Sequence, residues 1–218
     1  MTSVTPERDD DRSAQTFIDW FQINTRWLTI GAAVVVVAGA GYWFWTRSNQ
    51  IKAERSSRDL MAARQSIATG NAPLAQSDLQ KIVDRYEGTT AATQASLLLA
   101  ELSYQKGDYQ KGIDALQKAK DAKFGASRVW EMIGDGQLQL GKVDDATASY
   151  QHAADLADTD GEKALAMAKK ARAYMAVNKR DDARKVWAEL EKAEWAGTLQ
   201  GEARVRLGEL TAKAVNKS

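Results

Sequence analysis

The sequence is poor in the residue types that most often build metal sites and thiol-based active sites. It has no cysteine and a single histidine, His152, although zinc sites are built mainly from these two residue types. His152 falls in the middle of a predicted helix, and no constellation of residues in the sequence supports general acid–base or nucleophilic catalysis. We therefore predict no enzymatic activity, no metal, no cofactor and no small-molecule substrate.

Two short motifs resemble parts of ligand-binding loops. Gly134-x-Gly136 resembles a phosphate loop, but no strand is predicted before it, and Gly134 has a packing role in the repeat described below. Asp158-x-Asp160-Gly161 resembles the start of a calcium loop that lacks its remaining ligands. We interpret the first motif as a packing position and the second as an ordinary turn.

The rest of the chain is organised around residues 27–46, a run of 20 residues without charge or proline. A helix of this length spans about 30 Å, the thickness of the hydrocarbon core of a bilayer, so we predict a transmembrane helix. A cleaved signal peptide and a buried core helix are the alternatives. The residues predicted to form the membrane anchor are Trp27, Gly31, Gly41, Tyr42, Trp43 and Trp45.

The segment before this run, residues 1–26, divides into two parts. Residues 1–12 are polar and are predicted to be disordered. In residues 13–26 the apolar side chains follow a helical period, which predicts an amphipathic helix lying in the membrane interface, or else an extension of the span. The predicted divisions of the chain are therefore residues 1–26, 27–46 and 47–218.

The charge distribution argues against nucleic acid as a partner and leaves the orientation of the chain in the membrane open. Residues 1–26 hold three of the 30 basic and five of the 29 acidic residues, so 27 basic and 24 acidic residues remain beyond the span. This small excess predicts no nucleic-acid binding, which needs clustered basic charge. Basic residues close behind the span favour a cytoplasmic C-terminal part, although long domains can translocate regardless of flanking charge.

Beyond the span, turn residues recur at a nearly constant spacing. Gly107 and Gly141 are 34 residues apart, and Gly70 and Asn178 each lie 37 residues further out, with a predicted helix on both sides of every turn. This is the spacing of tetratricopeptide repeats. One repeat resembles the tetratricopeptide pattern closely, through Trp130, Ile133, Gly134, Gly141, Ala146, Tyr150 and Ala153. Phe124 and Asp158 stand where that pattern has proline, and Lys170 stands at an apolar position.

The packing positions follow the same period. A small residue precedes each turn, where two helices must approach closely: Ala63, Ala100, Gly134, Ala171 and Gly208. A large residue follows each turn: Leu79, Leu116, Tyr150 and Trp187. We predict an all-α fold, in which a single N-terminal transmembrane helix precedes a tetratricopeptide-like α-solenoid of about four helix pairs and a capping helix over residues 199–214. A plain alanine-rich helical bundle is the alternative.

Solenoids of this type bind partners on the concave surface formed by the first helix of each pair. By the repeat register, the candidate partner-binding residues are Leu97, Glu101, Tyr104, Arg128, Glu131, Asp135 and Arg172. The alternative is that these residues merely form a solvated face.

The layout resembles a bacterial family, the YfgM-like ancillary subunits of the SecYEG translocon. The resemblance depends on Phe17-Ile18-Asp19-Trp20-Phe21, Asn24, Gly31 and Gly41-Tyr42-Trp43-Phe44-Trp45, followed by degenerate repeats. It implies a single-pass bacterial inner-membrane protein with a cytoplasmic N-terminus and a periplasmic solenoid, opposite to the charge rule. It also implies that the translocon and periplasmic chaperones are the partners. A scaffold of another envelope or cell-division complex, and a secreted binding module, are the alternatives.

Overall fold

The computed structural model describes the backbone of residues 9–215 and the side chains of Trp20, residues 25–27 and residues 29–212. Regular structure in this part of the chain is entirely helical, which confirms the predicted class. The helices are α1 Asp9–Ala68, α2 Ala72–Arg85, α3 Thr90–Gln105, α4 Tyr109–Gln117, α5 Ala126–Gln139, α6 Val143–Asp155, α7 Asp160–Ala176, α8 Arg180–Lys192 and α9 Leu199–Val215. A short 3-10 helix, Glu194–Ala196, precedes α9.

The N-terminal predictions need one correction. Residues 1–8 of the predicted disordered tail lie outside the described residues, but residues 9–12 form the start of α1. The amphipathic segment over residues 13–26 is helical and belongs to the same helix as the apolar run, as in the alternative of an extended span.

The chain divides into two compact units, residues 1–51 and residues 52–218. The first unit contains the apolar run, and α1 is the one helix among the described residues that is long and apolar enough to cross a membrane. Its most apolar window has a mean hydropathy of 1.7, and none of that window is buried. This exposure argues against the alternative of a buried core helix, because such a helix would be covered by other elements.

The second unit is a row of helix pairs. Residues 52–68 of α1 pair with α2, and the later pairs are α3 with α4, α5 with α6, and α7 with α8, after which α9 ends the array. Leu60 and Ala63 of α1 share a core cluster with residues of α2, and from α2 onward each helix packs on the next one in sequence. The first helix of a pair also contacts the first helix of the next pair from α3 to α9. The prediction of four helix pairs and a last helix is confirmed.

The turn inside each pair has the predicted position and a common geometry. Gly70, Gly107, Gly141 and Asn178 all adopt a left-handed backbone, with φ of 74°, 81°, 74° and 61°. The amide after each of them donates to a carbonyl five residues earlier, as Asp108 N does to Ser103 O at 2.9 Å. This hydrogen bond and the positive φ define the Schellman ending of a helix, for which glycine is the favoured residue.

The core forms at the predicted packing positions. Leu79, Leu116, Tyr150 and Trp187 are at most 1% exposed. The buried face of α7 consists of alanines and one methionine, namely Ala164, Ala166, Met167, Ala168, Ala171 and Ala173. One prediction is wrong: Gly208 is exposed, and a Cβ there would meet nothing within 4 Å, so none of the described helices packs on it.

Candidate partner-binding surface

The first helices of the pairs form one surface of the solenoid, which we call the A-helix face: residues 52–68 of α1, then α3, α5, α7 and α9. The predicted partner-binding residues are distributed over three of these helices. Leu97, Glu101 and Tyr104 lie on α3, Arg128, Glu131 and Asp135 lie on α5, and Arg172 lies on α7.

The structure brings the three α5 residues together in an ion-pair network with Lys169 of α7. Glu131 is 5% exposed, and its Oε1 lies 2.6 Å from Nη1 of Arg128 and 2.5 Å from Nζ of Lys169. The same Nζ lies 2.9 and 2.7 Å from the two carboxylate oxygens of Asp135. A buried carboxylate requires such paired cations, because isolated burial of a charge is costly. The network therefore links α5 to α7.

Tyr150 of α6 completes this network. Its hydroxyl donates to Oδ1 of Asp135 at 2.8 Å, so the carboxylate joins three helices. Burial raises the pKa of the Tyr150 hydroxyl well above its ordinary value, and the nearby negative charge of Asp135 raises this pKa further. The phenol therefore stays protonated, and it acts as a hydrogen-bond donor throughout the physiological pH range.

Arg172 also has a partner inside the solenoid. Its guanidinium donates from Nε at 3.0 Å and from Nη2 at 2.5 Å to the two carboxylate oxygens of Glu202, which joins α7 to α9. These hydrogen bonds from Arg172 lower the pKa of Glu202, which therefore stays ionised below its usual range. Together with the network of Glu131, this pair means that the four charged residues predicted on α5 and α7 all make ion pairs within the chain.

Tyr104 is a packing residue more than an exposed one. A Cβ at either Gly112 or Gly136 would collide with the Tyr104 side chain, so both glycines make room for the ring. The hydroxyl donates to the carbonyl of Met132 at 2.9 Å, which links α3 to α5. Burial, assisted by the charge of Asp135, raises the pKa of this hydroxyl too.

The uncommitted part of the A-helix face lies between α1 and α3. Met61 is 70% exposed, Leu97 and Leu98 are half-buried, and Glu101 is exposed. Within the described part of the chain, Glu101 makes no ion pair. Nη2 of Arg64 donates to Oε1 of Gln94 at 3.0 Å, which links α1 to α3 next to these residues. Apolar side chains beside one free carboxylate are thus available here to a partner.

The residues whose motifs resembled ligand-binding loops have packing or helix-capping roles in the structure. A Cβ at Gly134 would lie 2.7 Å from Cε1 of Tyr150, so this glycine admits the Tyr150 ring. Thr159, next to Asp158, caps α7 by accepting from the amide of Glu162 at 3.2 Å. The exposed ring of His152 lies on Trp130 at a centroid distance of 4.7 Å. Among the described residues, no group of three His, Cys, Asp or Glu side chains is placed to hold a metal.

The predicted anchor residues are exposed in the first unit. Trp27, Tyr42, Trp43 and Trp45 are 74%, 70%, 67% and 62% exposed. A Cβ at Gly31 or Gly41 would meet nothing within 4 Å. Amphipathic aromatic side chains near the ends of an apolar helix are typical of a membrane–water boundary.

The repeat register did not point to Lys169 and Glu202. Lys169 pairs with Glu131 and Asp135, and Glu202 pairs with Arg172. A signal for Lys169 exists in the sequence, because it follows Asp135 by 34 residues, which is the repeat period. Lys118 and Asp84 have the same separation and lie 2.5 Å apart, and Lys179 and Asp144 are 35 residues apart and pair at the same distance. Opposite charges one repeat apart are therefore neighbours on adjacent repeats.

The fold, with its stacked helix pairs and recurring turns, defines a tetratricopeptide-type α-solenoid, a class of protein-binding scaffold. Two overlapping segments, residues 19–127 and 58–171, match the model of the tetratricopeptide repeat-like domain family. This chain belongs to that family.

Solved structures of other proteins are similar to parts of this chain. The crystal structure of MamA aligns with a TM-score of 0.50 and 15% identity, covering 71% of this chain and 95% of that chain. A crystal structure of TPR-like repeats described as those of a kinesin light chain from Podosopora anserina has a TM-score of 0.49 and 15% identity, covering 75% of this chain and 97% of that chain. No curated protein matches the sequence.

Proposed function

We propose that this protein is a non-enzymatic, membrane-anchored scaffold that binds other proteins through its solenoid. One observation carries the proposal: a single chain joins an unburied apolar helix to a tetratricopeptide-like array. An exposed apolar stretch of this length is stable in lipid and costly in water, so it accounts for an anchor. The anchor then keeps the solenoid tethered to the membrane.

The setting that we propose is the bacterial inner membrane beside the SecYEG translocon. The N-terminus is cytoplasmic, and the solenoid is periplasmic, where it passes emerging chains to periplasmic chaperones. The support for this setting is the sequence resemblance that runs from Phe17 through Trp45 into the repeats.

The binding site that we propose is the part of the A-helix face between α1 and α3, formed by Met61, Leu97, Leu98 and Glu101. The support is a contrast along that face. The charged residues predicted on α5 and α7 are paired within the chain, whereas Glu101 is unpaired among the described residues and Met61 is 70% exposed. Exposed apolar surface bordered by polar residues is typical of sites for protein partners.

A crosslinked pull-down from mildly solubilised membranes, analysed by mass spectrometry, tests the partners. Recovery of translocon subunits with periplasmic chaperones is the expected result. Recovery of a different membrane complex without the translocon would retain the anchored scaffold and disprove the assigned partners. Met61→Asp combined with Glu101→Lys should reduce recovery, whereas Leu156→Asp, at a 47% exposed leucine at the end of α6, serves as the matched control.

The absence of cysteine provides a test of orientation. A single Lys192→Cys substitution at the exposed end of α8 gives one reactive thiol. A membrane-impermeant maleimide added to intact spheroplasts should label this thiol if the solenoid is periplasmic. Labelling only after lysis would place the solenoid in the cytoplasm and contradict the proposal.

A further inference from the structure

The second helix of the second pair is unusually short. Helix α4 has nine residues, whereas α2 has 14 and both α6 and α8 have 13. The chain leaves the helix after Gln117 and enters α5 only at Ala126, so residues 118–125 form a loop. We call these eight residues the α4–α5 loop.

The α4–α5 loop combines basic charge with an exposed aromatic ring. Lys118, Lys120 and Lys123 are opposed within the loop by Asp121 alone. Phe124 stands where the repeat pattern has proline and is 68% exposed. A phenyl ring left in water costs free energy, because most of its apolar surface stays hydrated, and the packing of the repeats does not account for it.

The charges of the loop are only partly neutralised by the chain. Lys118 Nζ pairs with Oδ1 of Asp84 at 2.5 Å, and Lys120 Nζ lies 3.9 Å from Asp121. Lys123 makes no ion pair among the described residues. Exposed pairs of this kind are weak and exchange readily with other carboxylates, so an acidic partner can compete for these cations.

A cleft of about 290 Å³ opens between this loop and the first turns of α3. Its lining includes Val83, Ala92 and Ala119 as apolar groups and the buried hydroxyl residues Thr93 and Ser96. Lys118 and Lys120 also line it, and so do Glu87 and Asp121, so the excess of basic charge lies on the loop and not inside the cleft. This volume lies just below the range of about 300–1,000 Å³ that is typical of small-molecule sites. It is large enough for one or two side chains of a peptide.

We propose that the α4–α5 loop and this cleft form a second docking surface, which takes an acidic peptide segment of a partner protein. Glutamate or aspartate side chains of the segment bind Lys120 and Lys123, and an apolar side chain beside them contacts Phe124 and enters the cleft. Charge complementarity and the indented shape favour a peptide over a flat lipid surface. This site is separate from the α1–α3 part of the A-helix face, so partners can occupy both.

The test uses the full chain in a non-ionic detergent and a fluorescein-labelled peptide of glutamate and serine with one central phenylalanine. We expect saturable binding by fluorescence anisotropy, which weakens as salt is added, and no binding of the same peptide with glutamine in place of glutamate. The pair Lys120→Gln with Lys123→Gln should weaken binding roughly fivefold, and Phe124→Ser should weaken it as well. The charge-matched control, Lys185→Gln with Lys192→Gln on α8, should bind like the wild type.

Equal losses of peptide affinity in the loop variants and in the control variant would overturn the proposal, and so would the absence of saturable binding. A lipid occupant is distinguished by Phe124→Cys labelled with bimane, because the chain has no other cysteine. A blue shift when phosphatidylglycerol vesicles are added to the chain in neutral nanodiscs, with no binding of the acidic peptide, would assign the loop to a membrane surface and also overturn the proposal. An unchanged melting temperature shows that each variant is folded.

Discussion

The ring of Tyr150 lies directly on Gly134, where α5 and α6 approach each other. A Cβ at Gly134 would lie 2.7 Å from Cε1 of Tyr150, closer than carbon atoms tolerate. The ring cannot move aside, because Tyr150 is 1% exposed and its hydroxyl is bound by Asp135. The glycine is therefore required by the packing of the third repeat, and this contact gives the first prediction.

Gly134→Leu should separate α5 from α6 and destabilise the solenoid by about 3 kcal/mol or more, the upper range for overpacking. Gly134→Ala should lower the free energy of unfolding by about 1 kcal/mol. Chemical denaturation of the full chain in detergent measures both. Gly208→Ala is the control, because Gly208 lies in a helix with open space around it, and it should stabilise by about 0.5 kcal/mol. An unchanged stability in Gly134→Leu would contradict the repeat register.

Lys169→Met should destabilise the solenoid by roughly 3 kcal/mol, because Glu131 and Asp135 lose the cation that they share. The control is Lys185→Met, which removes an exposed pair with Asp182 at 3.1 Å and should change stability by less than about 0.5 kcal/mol. Thermal and chemical denaturation of both variants provide the comparison. Equal effects would mean that the network around Glu131 is no stronger than a surface ion pair.

The solenoid should lose stability as the pH rises above 10. The pKa values of the Tyr104 and Tyr150 hydroxyls are raised from their ordinary value of 10.0, mainly by burial. Their contribution is complete below pH 10, and it is lost as the pH rises from there towards the folded-state pKa, because the unfolded chain releases these protons first. Melting temperatures between pH 8 and pH 11 should fall more steeply in the wild type than in Tyr104→Phe with Tyr150→Phe. A parallel decline in both would contradict this assignment.

Asn178→Gly should stabilise the fourth pair by about 0.5 kcal/mol, because glycine adopts the left-handed backbone at no steric cost. Asn178 has φ of 61° and is the only non-glycine residue with positive φ among the described residues. The reverse change, Gly141→Asn at φ of 74°, should destabilise by a similar amount. Denaturation midpoints of the two variants should therefore move in opposite directions, and a shift of both in the same direction would argue against the shared turn geometry.

Much of the fold could be predicted because local rules and the repeat period agree. The turns at Gly107 and Gly141 need a positive φ, and Tyr150 and Trp187 recur at the same distance after their turns. Gly208 was misassigned because its sequence pattern matches the other repeats, although none of the described residues packs on it. The period predicts a position within a repeat, but it does not show whether another helix covers that position.

The surface could be predicted less well. Arg128, Glu131 and Asp135 lie on the expected helix face, yet the network with Lys169 depends on how far one long side chain reaches across to the next repeat. The early end of α4, and with it the exposure of Phe124, also has no local signal in helix propensity. Such features depend on contacts between elements that periodicity does not specify.

The alanine face of α7 gives the array an entropic advantage. An alanine has no rotamers to lose on burial, so α7 becomes ordered between its neighbours with almost no loss of side-chain freedom. Each methyl group also buries little apolar surface, so the hydrophobic free energy of this region must come from the large residues that face it, above all Trp187. The hydrophobic free energy of the fourth repeat therefore comes mainly from a few large side chains, and the alanines allow the helix backbones to lie close together.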